Sequence, residues 1–132
     1  VDLVAQGLAG NLPSQANWDD RVALGIVVAS KGYPESASKG DVISGLPALT
    51  VDKNTAVKVF HAGTTFADSA DSHTNSETEV ITDGGRVLCV TALADTILDA
   101  QQAALMVTGA ISFEGAHYRR DIGHHAINRE ML

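Results

Sequence analysis

Two short segments of the chain combine glycine with polar or cationic side chains in a way that suits anion binding. The first is Asp83-Gly84-Gly85-Arg86, in which two residues without side chains precede a guanidinium. Backbone N–H groups can approach phosphate oxygens closely where no side chain intervenes, and a guanidinium adds a permanent, bidentate positive charge. The segment therefore predicts an anion cradle. The alternative is a hairpin turn with a solvated Arg86.

The second segment is His61-Ala62-Gly63-Thr64, which follows a predicted strand. An imidazole and a hydroxyl at a strand end lie where polar groups often contact ligands. The alternative is a strand-ending turn whose histidine is already hydrogen-bonded. Together the two segments supply six candidate substrate-binding residues: His61, Gly63, Thr64, Gly84, Gly85 and Arg86.

Other titratable residues do not form a recognisable catalytic or metal-binding pattern. Arg119-Arg120-Asp121 could hold an anion, but adjacent opposite charges more often form a structural ion pair between neighbouring segments, which we expect for Asp121. Three histidines near the C-terminus lack the cysteines, carboxylates or helical spacing of a metal site, and three scattered acids suggest no acid–base pair. These residues are His117, His124, His125, Glu35, Asp41 and Glu114.

Apolar patterning predicts the elements that must position these segments. A β-branched run in residues 21–30 indicates a buried strand, and shorter strands are predicted near 42–43, 57–60, 80–82 and 86–92. The polar stretch 66–79 is expected to be an exposed hairpin tip or a mobile loop. Residues 113–123 are expected to form a last strand or an extended segment.

One long helix is predicted after these strands. Asp95 or Thr96 can serve as its N-cap, and Gly109 lies near its C-terminal end. Apolar residues at spacings of three and four form its buried stripe: Ile97, Ala100, Ala104, Val107 and Ile111. Because helices do not alternate with strands, the pattern predicts a β-rich α+β fold with antiparallel strands, and not a doubly wound sheet.

Composition narrows the class of protein. The 132 residues suffice for one core, with 45% hydrophobic residues and a net charge of −7. That charge disfavours nucleic acid as a partner. The sequence has no apolar run long enough to cross a membrane and no signal-peptide pattern, so we expect a cytoplasmic protein. The single cysteine, Cys89, lies in an apolar run and is expected to be a core residue.

The N-terminal residues differ in character from the rest. The chain opens without methionine, with apolar residues Leu3, Val4, Leu8 and Leu12 that suggest the end of an amphipathic helix. A connection rich in proline and amides follows. We therefore expect residues 1–17 to be the end of a preceding domain with its linker, residues 18–132 to be a domain of their own, and the chain to be a fragment.

Six segments carry a resemblance to a known family. They are Trp18-Asp19-Asp20-Arg21, Ala29-Ser30-Lys31-Gly32-Tyr33-Pro34, Lys39-Gly40-Asp41-Val42-Ile43-Ser44-Gly45-Leu46, Val59-Phe60-His61-Ala62-Gly63-Thr64, Gly84-Gly85-Arg86-Val87-Leu88-Cys89-Val90-Thr91-Ala92 and Tyr118-Arg119-Arg120-Asp121-Ile122-Gly123. In type and spacing they resemble the C-terminal domain of phosphoribosylamine–glycine ligases, also called glycinamide ribonucleotide synthetases. Residues 1–12 are similar to the last helix of that family's ATP-grasp domain, and the loop 65–79 is longer and more polar than usual in the family.

The resemblance implies a function for a longer protein. Such a ligase uses ATP and Mg²⁺ to join glycine to 5-phosphoribosylamine in purine synthesis, through a glycyl phosphate. The family's N-terminal domain, its ATP-binding lobes and its Mg²⁺ ligands have no counterpart in this sequence. The resemblance also implies that the glycine turns and Arg86 help to hold the sugar phosphate, and that the fold is related to the C-terminal domain of biotin carboxylase.

Two other interpretations stay open at this stage. The chain could be a non-catalytic binding or lid module that exists independently, or a structural remnant left by proteolysis of the full enzyme. Residues of an ATP-grasp domain upstream in the gene would separate the ligase domain and the remnant from the independent module.

Overall fold

The structure of the chain is a computed structural model that describes residues 2–46, 56–67 and 79–131. A short helix, α1 (Asp2–Leu8), precedes strand β1 (Val22–Ala29). The order is then β2 (Ala56–His61), β3 (Thr64–Phe66), β4 (Val80–Thr82), β5 (Arg86–Ala94), α2 (Ile97–Ala110) and α3 (His124–Glu130). The predicted α+β class with antiparallel strands and one long helix is confirmed.

The core lies between a three-stranded antiparallel sheet and helix α2. The strand order is β1-β5-β2, so β5 is central and pairs with both neighbours. Strand side chains alternate between two faces. The helix-facing side carries Ile26, Val28 and Val90, which are almost completely buried. The opposite face carries Val27 and Phe60, which are 43% and 48% exposed, and this division follows from the predicted β-branched runs.

Strands β2 to β5 form one long hairpin with an irregularity in the middle. β2 pairs with β5 and β3 pairs with β4. Between the pairs His61↔Leu88 and Thr64↔Thr82, two residues (62–63) on one arm face five (83–87) on the other. Such a bulge bends the ladder and redirects its side chains. The hairpin tip expected at 66–79 lies largely outside the described residues, which omit 68–78.

Helix α2 matches its sequence signals. Thr96 is the N-cap, with its hydroxyl accepting the Asp99 N–H at 3.1 Å. Ala100 and Ala104 are fully buried against the sheet, because alanine lets a helix approach it closely. Cys89, expected in the core, is only partly buried, since it pairs with Val27 and Phe60 on the face of the sheet that lies away from the helix.

The segment between α2 and α3 forms no strand and includes a turn at residues 114–115 in place of the expected last strand or extended segment. Residues 113–123 make a single bridge, His117 to Ala29, and the Gln101 side chain donates to the Ile122 carbonyl at 2.6 Å. Helix α3 was not predicted. It packs beside the start of α2, where the Glu130 carboxylate accepts the Ile97 N–H at 3.1 Å.

Two smaller predictions are modified by the structure. The strand expected near 42–43 is a single bridge from Val42 to Ile81. Helix α1 forms as expected, but its apolar side chains Val4 and Leu8 are 67% and 87% exposed. None of the helices in the described ranges has both the length and the apolar character needed to span a bilayer.

Candidate functional site

The Gly84-Gly85-Arg86 segment lies at the bulge, where the chain passes from β4 into β5. It forms one wall of an open cleft of about 630 Å³. Residues from three parts of the chain line this cleft, among them Tyr33, Gly63, Asp83, Gly84, Gly85 and Arg86. The two strands that the segment joins do not pair with each other. The segment is therefore not the turn of a hairpin between β4 and β5, although Arg86 is exposed as that alternative expected.

The glycines of the cleft are required for space and not for an unusual backbone conformation. None of the three glycines Gly63, Gly84 and Gly85 has a positive φ. A Cβ on Gly63 would lie 2.7 Å from the Arg86 carbonyl oxygen and 2.9 Å from Gly84 Cα. Such distances are shorter than van der Waals contact. The two arms of the hairpin therefore touch backbone to backbone at the bulge.

Two backbone N–H groups in the segment have no hydrogen-bond acceptor within the described ranges. Asp83 donates its N–H to the Gly63 carbonyl at 2.8 Å, and the Gly85 carbonyl accepts the Ser30 N–H at 2.9 Å. The N–H groups of Gly84 and Gly85 donate to no acceptor in the described part of the chain. Half-buried N–H groups without a protein acceptor are suited to bind an anion.

The charged side chains around the cleft leave a small net positive charge, which favours binding of an anion. Arg86 is exposed and has no ion-pair partner among residues 2–46, 56–67 and 79–131. The carboxylate of Asp83 would repel an anion, but the ammonium of Lys39 lies 3.1 Å from it. Since this exposed pair carries no net charge, the Arg86 guanidinium leaves the segment with a net positive charge.

The other two candidates lie in a different place. His61 Nδ1 and Thr64 Oγ1 are 3.0 Å apart, and both residues line a second pocket of about 480 Å³ with Leu46, Phe66 and Val80. His61 pairs with Leu88 and so lies on the helix-facing side of the sheet. The structure thus brings Gly63, Gly84, Gly85 and Arg86 together and separates them from His61 and Thr64.

The arginine–aspartate pair near the C-terminus is a local feature of one segment. Arg119 and Asp121 approach to 2.6 Å, with both side chains more than half exposed. The expectation of an ion pair is confirmed, but not its placement between neighbouring segments, because the side chains are only two residues apart. Hydrogen bonds from Arg119 lower the pKa of Asp121 to about 2.

Among the remaining titratable residues, Asp41 has a structural role that the sequence did not reveal. Its carboxylate accepts the Ser38 hydroxyl at 2.8 Å, and its N–H donates to the Thr82 hydroxyl at 3.0 Å. These bonds attach the loop before Asp41 to strand β4. No three His, Cys, Asp or Glu side chains within the described ranges cluster as metal ligands would.

The sequence did not reveal Tyr33, which lines the cleft, or Lys39, which pairs with a lining residue. Tyr33 contacts Gly85, and Lys39 neutralises Asp83. The sequence indicated only a Gly-Tyr-Pro turn at 32–34 and a polar stretch after it. A tyrosine within a predicted tight turn is the one local signal in the sequence that could have identified Tyr33.

Comparisons with known proteins identify the family of the chain. The sequence model of the family described as Phosphoribosylglycinamide synthetase, C domain, matches residues 23–125. The chain is 46% identical over 129 residues to a phosphoribosylamine–glycine ligase of Ralstonia nicotianae, covering 97% of this chain and 28% of that protein. It is 47% identical over 131 residues to the ligase of Xanthomonas campestris pv. campestris, covering 98% and 28%.

A solved structure shows the same fold. The crystal structure of phosphoribosylamine–glycine ligase from Thermotoga maritima superposes with a TM-score of 0.69 at 29% identity, over 91% of this chain and 26% of that one. The chain therefore spans between a quarter and a third of the length of these relatives. On the extent of these matches, the chain belongs to the phosphoribosylglycinamide synthetase C-domain family.

Proposed function

We propose that this chain is the C-terminal part of an ATP-dependent ligase that joins glycine to 5-phosphoribosylamine to give glycinamide ribonucleotide in purine synthesis. The observation that carries the proposal is the match of nearly the whole chain to proteins named phosphoribosylamine–glycine ligase. Because the chain corresponds to 28% of those proteins, the activity is proposed for the longer protein and a substrate-holding role for this region.

The chemistry proposed for the longer protein proceeds in two steps. The glycine carboxylate attacks the terminal phosphate of ATP, which forms glycyl phosphate and releases ADP. The amine of 5-phosphoribosylamine then attacks the acyl carbon, and phosphate leaves as the amide forms. We assign the ligands of ATP and Mg²⁺ to the domains that precede this region in the family.

Within this scheme the cleft at the bulge holds the phosphate of phosphoribosylamine. The Gly84 and Gly85 N–H groups and the Arg86 guanidinium supply donors to its oxygens. Holding the phosphate fixes the amine at the other end of the sugar relative to glycyl phosphate, which lowers the entropic cost of their reaction. His61 and Thr64 remain candidates for a different part of the substrate, because they line a separate pocket.

The proposal is tested by Arg86→Ala in the longer ligase that contains this sequence. A charge-assisted, partly desolvated contact is worth about 1.5–3 kcal/mol, so the KM for phosphoribosylamine should rise by one to two orders of magnitude. The KM values for glycine and ATP should change less. Arg86→Lys should recover part of the loss, since an ammonium retains the charge without the bidentate geometry.

Arg120→Ala is the matched control, because Arg120 is also exposed but does not line the cleft. Its KM values should stay within about twofold of the parent, in keeping with the small effect of surface substitutions. Steady-state kinetics with a melting curve for each variant make the comparison. A folded Arg86→Ala enzyme with an unchanged KM for phosphoribosylamine would show that Arg86 does not bind the phosphate.

A further inference from the structure

Gly85 is in direct contact with the ring of Tyr33. A Cβ on Gly85 would lie 2.9 Å from Tyr33 Cε2 and 3.3 Å from Tyr33 Cγ. Gly85 does not have a positive φ, so its backbone conformation is open to other residues. The reason for glycine at this position is therefore the ring that occupies the side-chain volume.

The carbonyl of Gly85 is held by the same turn. Ser30 is fully buried and donates its N–H to the Gly85 carbonyl at 2.9 Å, with its hydroxyl 3.5 Å from that oxygen. The Tyr33 N–H in turn donates to the Ser30 carbonyl at 3.2 Å. The peptide at Gly85 is thus fixed through its carbonyl and its Cα, while the N–H groups of Gly84 and Gly85 have no acceptor in the described part of the chain.

Tyr33 itself is part of the cleft. Its side chain is 37% exposed and lines the same concave surface as Arg86. An anion binds most tightly to donors whose orientation is fixed before it binds. The entropy of ordering those donors is then lost during folding and not during binding.

We propose that Tyr33 is a positioning residue for the phosphate site, and that its ring, packed on Gly85, holds the Gly84 and Gly85 N–H groups in the orientation that receives a phosphate oxygen. The inference rests on the proposed function, since it concerns the same phosphate. It assigns Tyr33 a role in affinity for phosphorylated substrate and none in the reaction of glycine with ATP.

The test uses the longer ligase that contains this sequence, with phosphoribosylamine as the varied substrate and ribose 5-phosphate as a competing probe. Tyr33→Ala should raise the KM for phosphoribosylamine and the inhibition constant of ribose 5-phosphate by about tenfold. The kcat at saturation and the KM for glycine should change by less than about twofold. Tyr33→Phe, which keeps the ring, should stay close to the parent.

Phe60→Ala is the control for loss of an exposed aromatic side chain. Phe60, on strand β2, is 48% exposed but does not line the cleft. Its phosphoribosylamine KM should therefore match the parent. A KM raised as much by Phe60→Ala as by Tyr33→Ala would point to general loosening of the sheet and contradict the inference.

A second pair of variants keeps the inference testable if Tyr33→Ala does not fold. Gly85→Ala should displace the ring, lower the melting temperature and raise the KM. Adding Tyr33→Ala to Gly85→Ala removes the clash, so the melting temperature should recover while the KM stays high. Recovery of the KM together with the melting temperature would show that the ring has no role in positioning the cradle.

The failures of the two proposals are distinguishable. If folded Arg86→Ala leaves the KM for phosphoribosylamine unchanged, the proposed phosphate site is wrong. If Arg86→Ala raises the KM but folded Tyr33→Ala does not, the phosphate site stands and the role of Tyr33 is wrong.

Discussion

At the scale of single residues, the glycines of this chain differ in whether backbone conformation, lack of space or neither requires them. Gly123 has a φ of 87° at the start of α3, a conformation that residues with a side chain rarely adopt. Gly63 has no such conformation, and its Cβ position is blocked by backbone atoms of the opposite arm. Gly109 lies in helix α2, and the Tyr118 hydroxyl is 4.0 Å from its Cβ position.

Alanine substitutions at two of these glycines should therefore have opposite effects. Gly63→Ala forces backbone atoms apart and should lower the free energy of unfolding by about 1–3 kcal/mol, the cost of overpacking. Gly109→Ala should raise it by about 0.5 kcal/mol, because alanine loses less entropy in a helix. Urea unfolding of the isolated chain measures both. Equal effects of the two substitutions would contradict the close contact at the bulge.

The pair Arg119–Asp121 makes a prediction about pH. Hydrogen bonds from Arg119 lower the pKa of Asp121 from its ordinary 3.8 to about 2, and Arg21 lowers that of Asp19 equally to about 2. A lowered pKa means that the ion pair is fully formed above the ordinary value and is lost as the pH falls through about 2. Both carboxylates are exposed, so the effect on the free energy of unfolding should be small.

NMR titration of the aspartate carboxyl carbons checks this sign. Arg119→Ala should return the pKa of Asp121 toward 3.8 and leave that of Asp19 at about 2, which makes Asp19 an internal control. An Asp121 that titrates near 4 in the parent chain would show that the ion pair does not persist in solution.

At the scale of elements, the N-terminus of α2 joins local and distant parts of the chain. The Thr96 hydroxyl accepts the Asp99 N–H, and the Glu130 carboxylate on α3 accepts the Ile97 N–H. The first turn of a helix has N–H groups without helical partners, and a negative charge nearby is favourable. The Thr96 contact closes the first turn of α2, and the Glu130 contact fixes α3 to the sheet–helix core.

Removing the cap should measurably weaken the domain. Thr96→Ala should lower the free energy of unfolding by about 1 kcal/mol, and Thr96→Ser, which keeps the hydroxyl, by much less. Glu130→Gln should lower it by about 0.3–1 kcal/mol, because the charge near the helix terminus is lost. Thermal unfolding followed by circular dichroism gives the comparison. A neutral Thr96→Ala would mean that Glu130 alone satisfies the first turn.

At the scale of the whole molecule, the chain has a core of its own but spans only part of the length of its relatives. Within the described ranges, thirteen buried hydrophobic residues form one core cluster, whereas the relatives are more than three times longer. The isolated chain should fold cooperatively and release no ADP in the presence of glycine, phosphoribosylamine and ATP. Substrate-dependent ADP release above that of a mock preparation would overturn this expectation.

The sequence by itself determined the features that depend on neighbouring residues. The β-branched run of β1, the Thr96 cap with its apolar stripe, and the polarity of Gly84-Gly85-Arg86 are readable because strands, caps and turns follow from local side-chain chemistry. The family also follows from the order and spacing of such local segments. The role of Asp41, with partners up to 41 residues away, could not be read in the same way.

Only the tertiary structure decided how the candidate site is arranged. The register of β2 on β5 places His61 on the helix-facing side, and the bulge turns Gly84 to Arg86 toward another cleft. Ser30 hydrogen-bonds to Gly85 although the two residues are 55 positions apart in the sequence. The spacing of apolar residues in the sequence does not indicate such a contact. Which side chains share a cleft depends on strand register, and register is set by the packing of the whole sheet against α2.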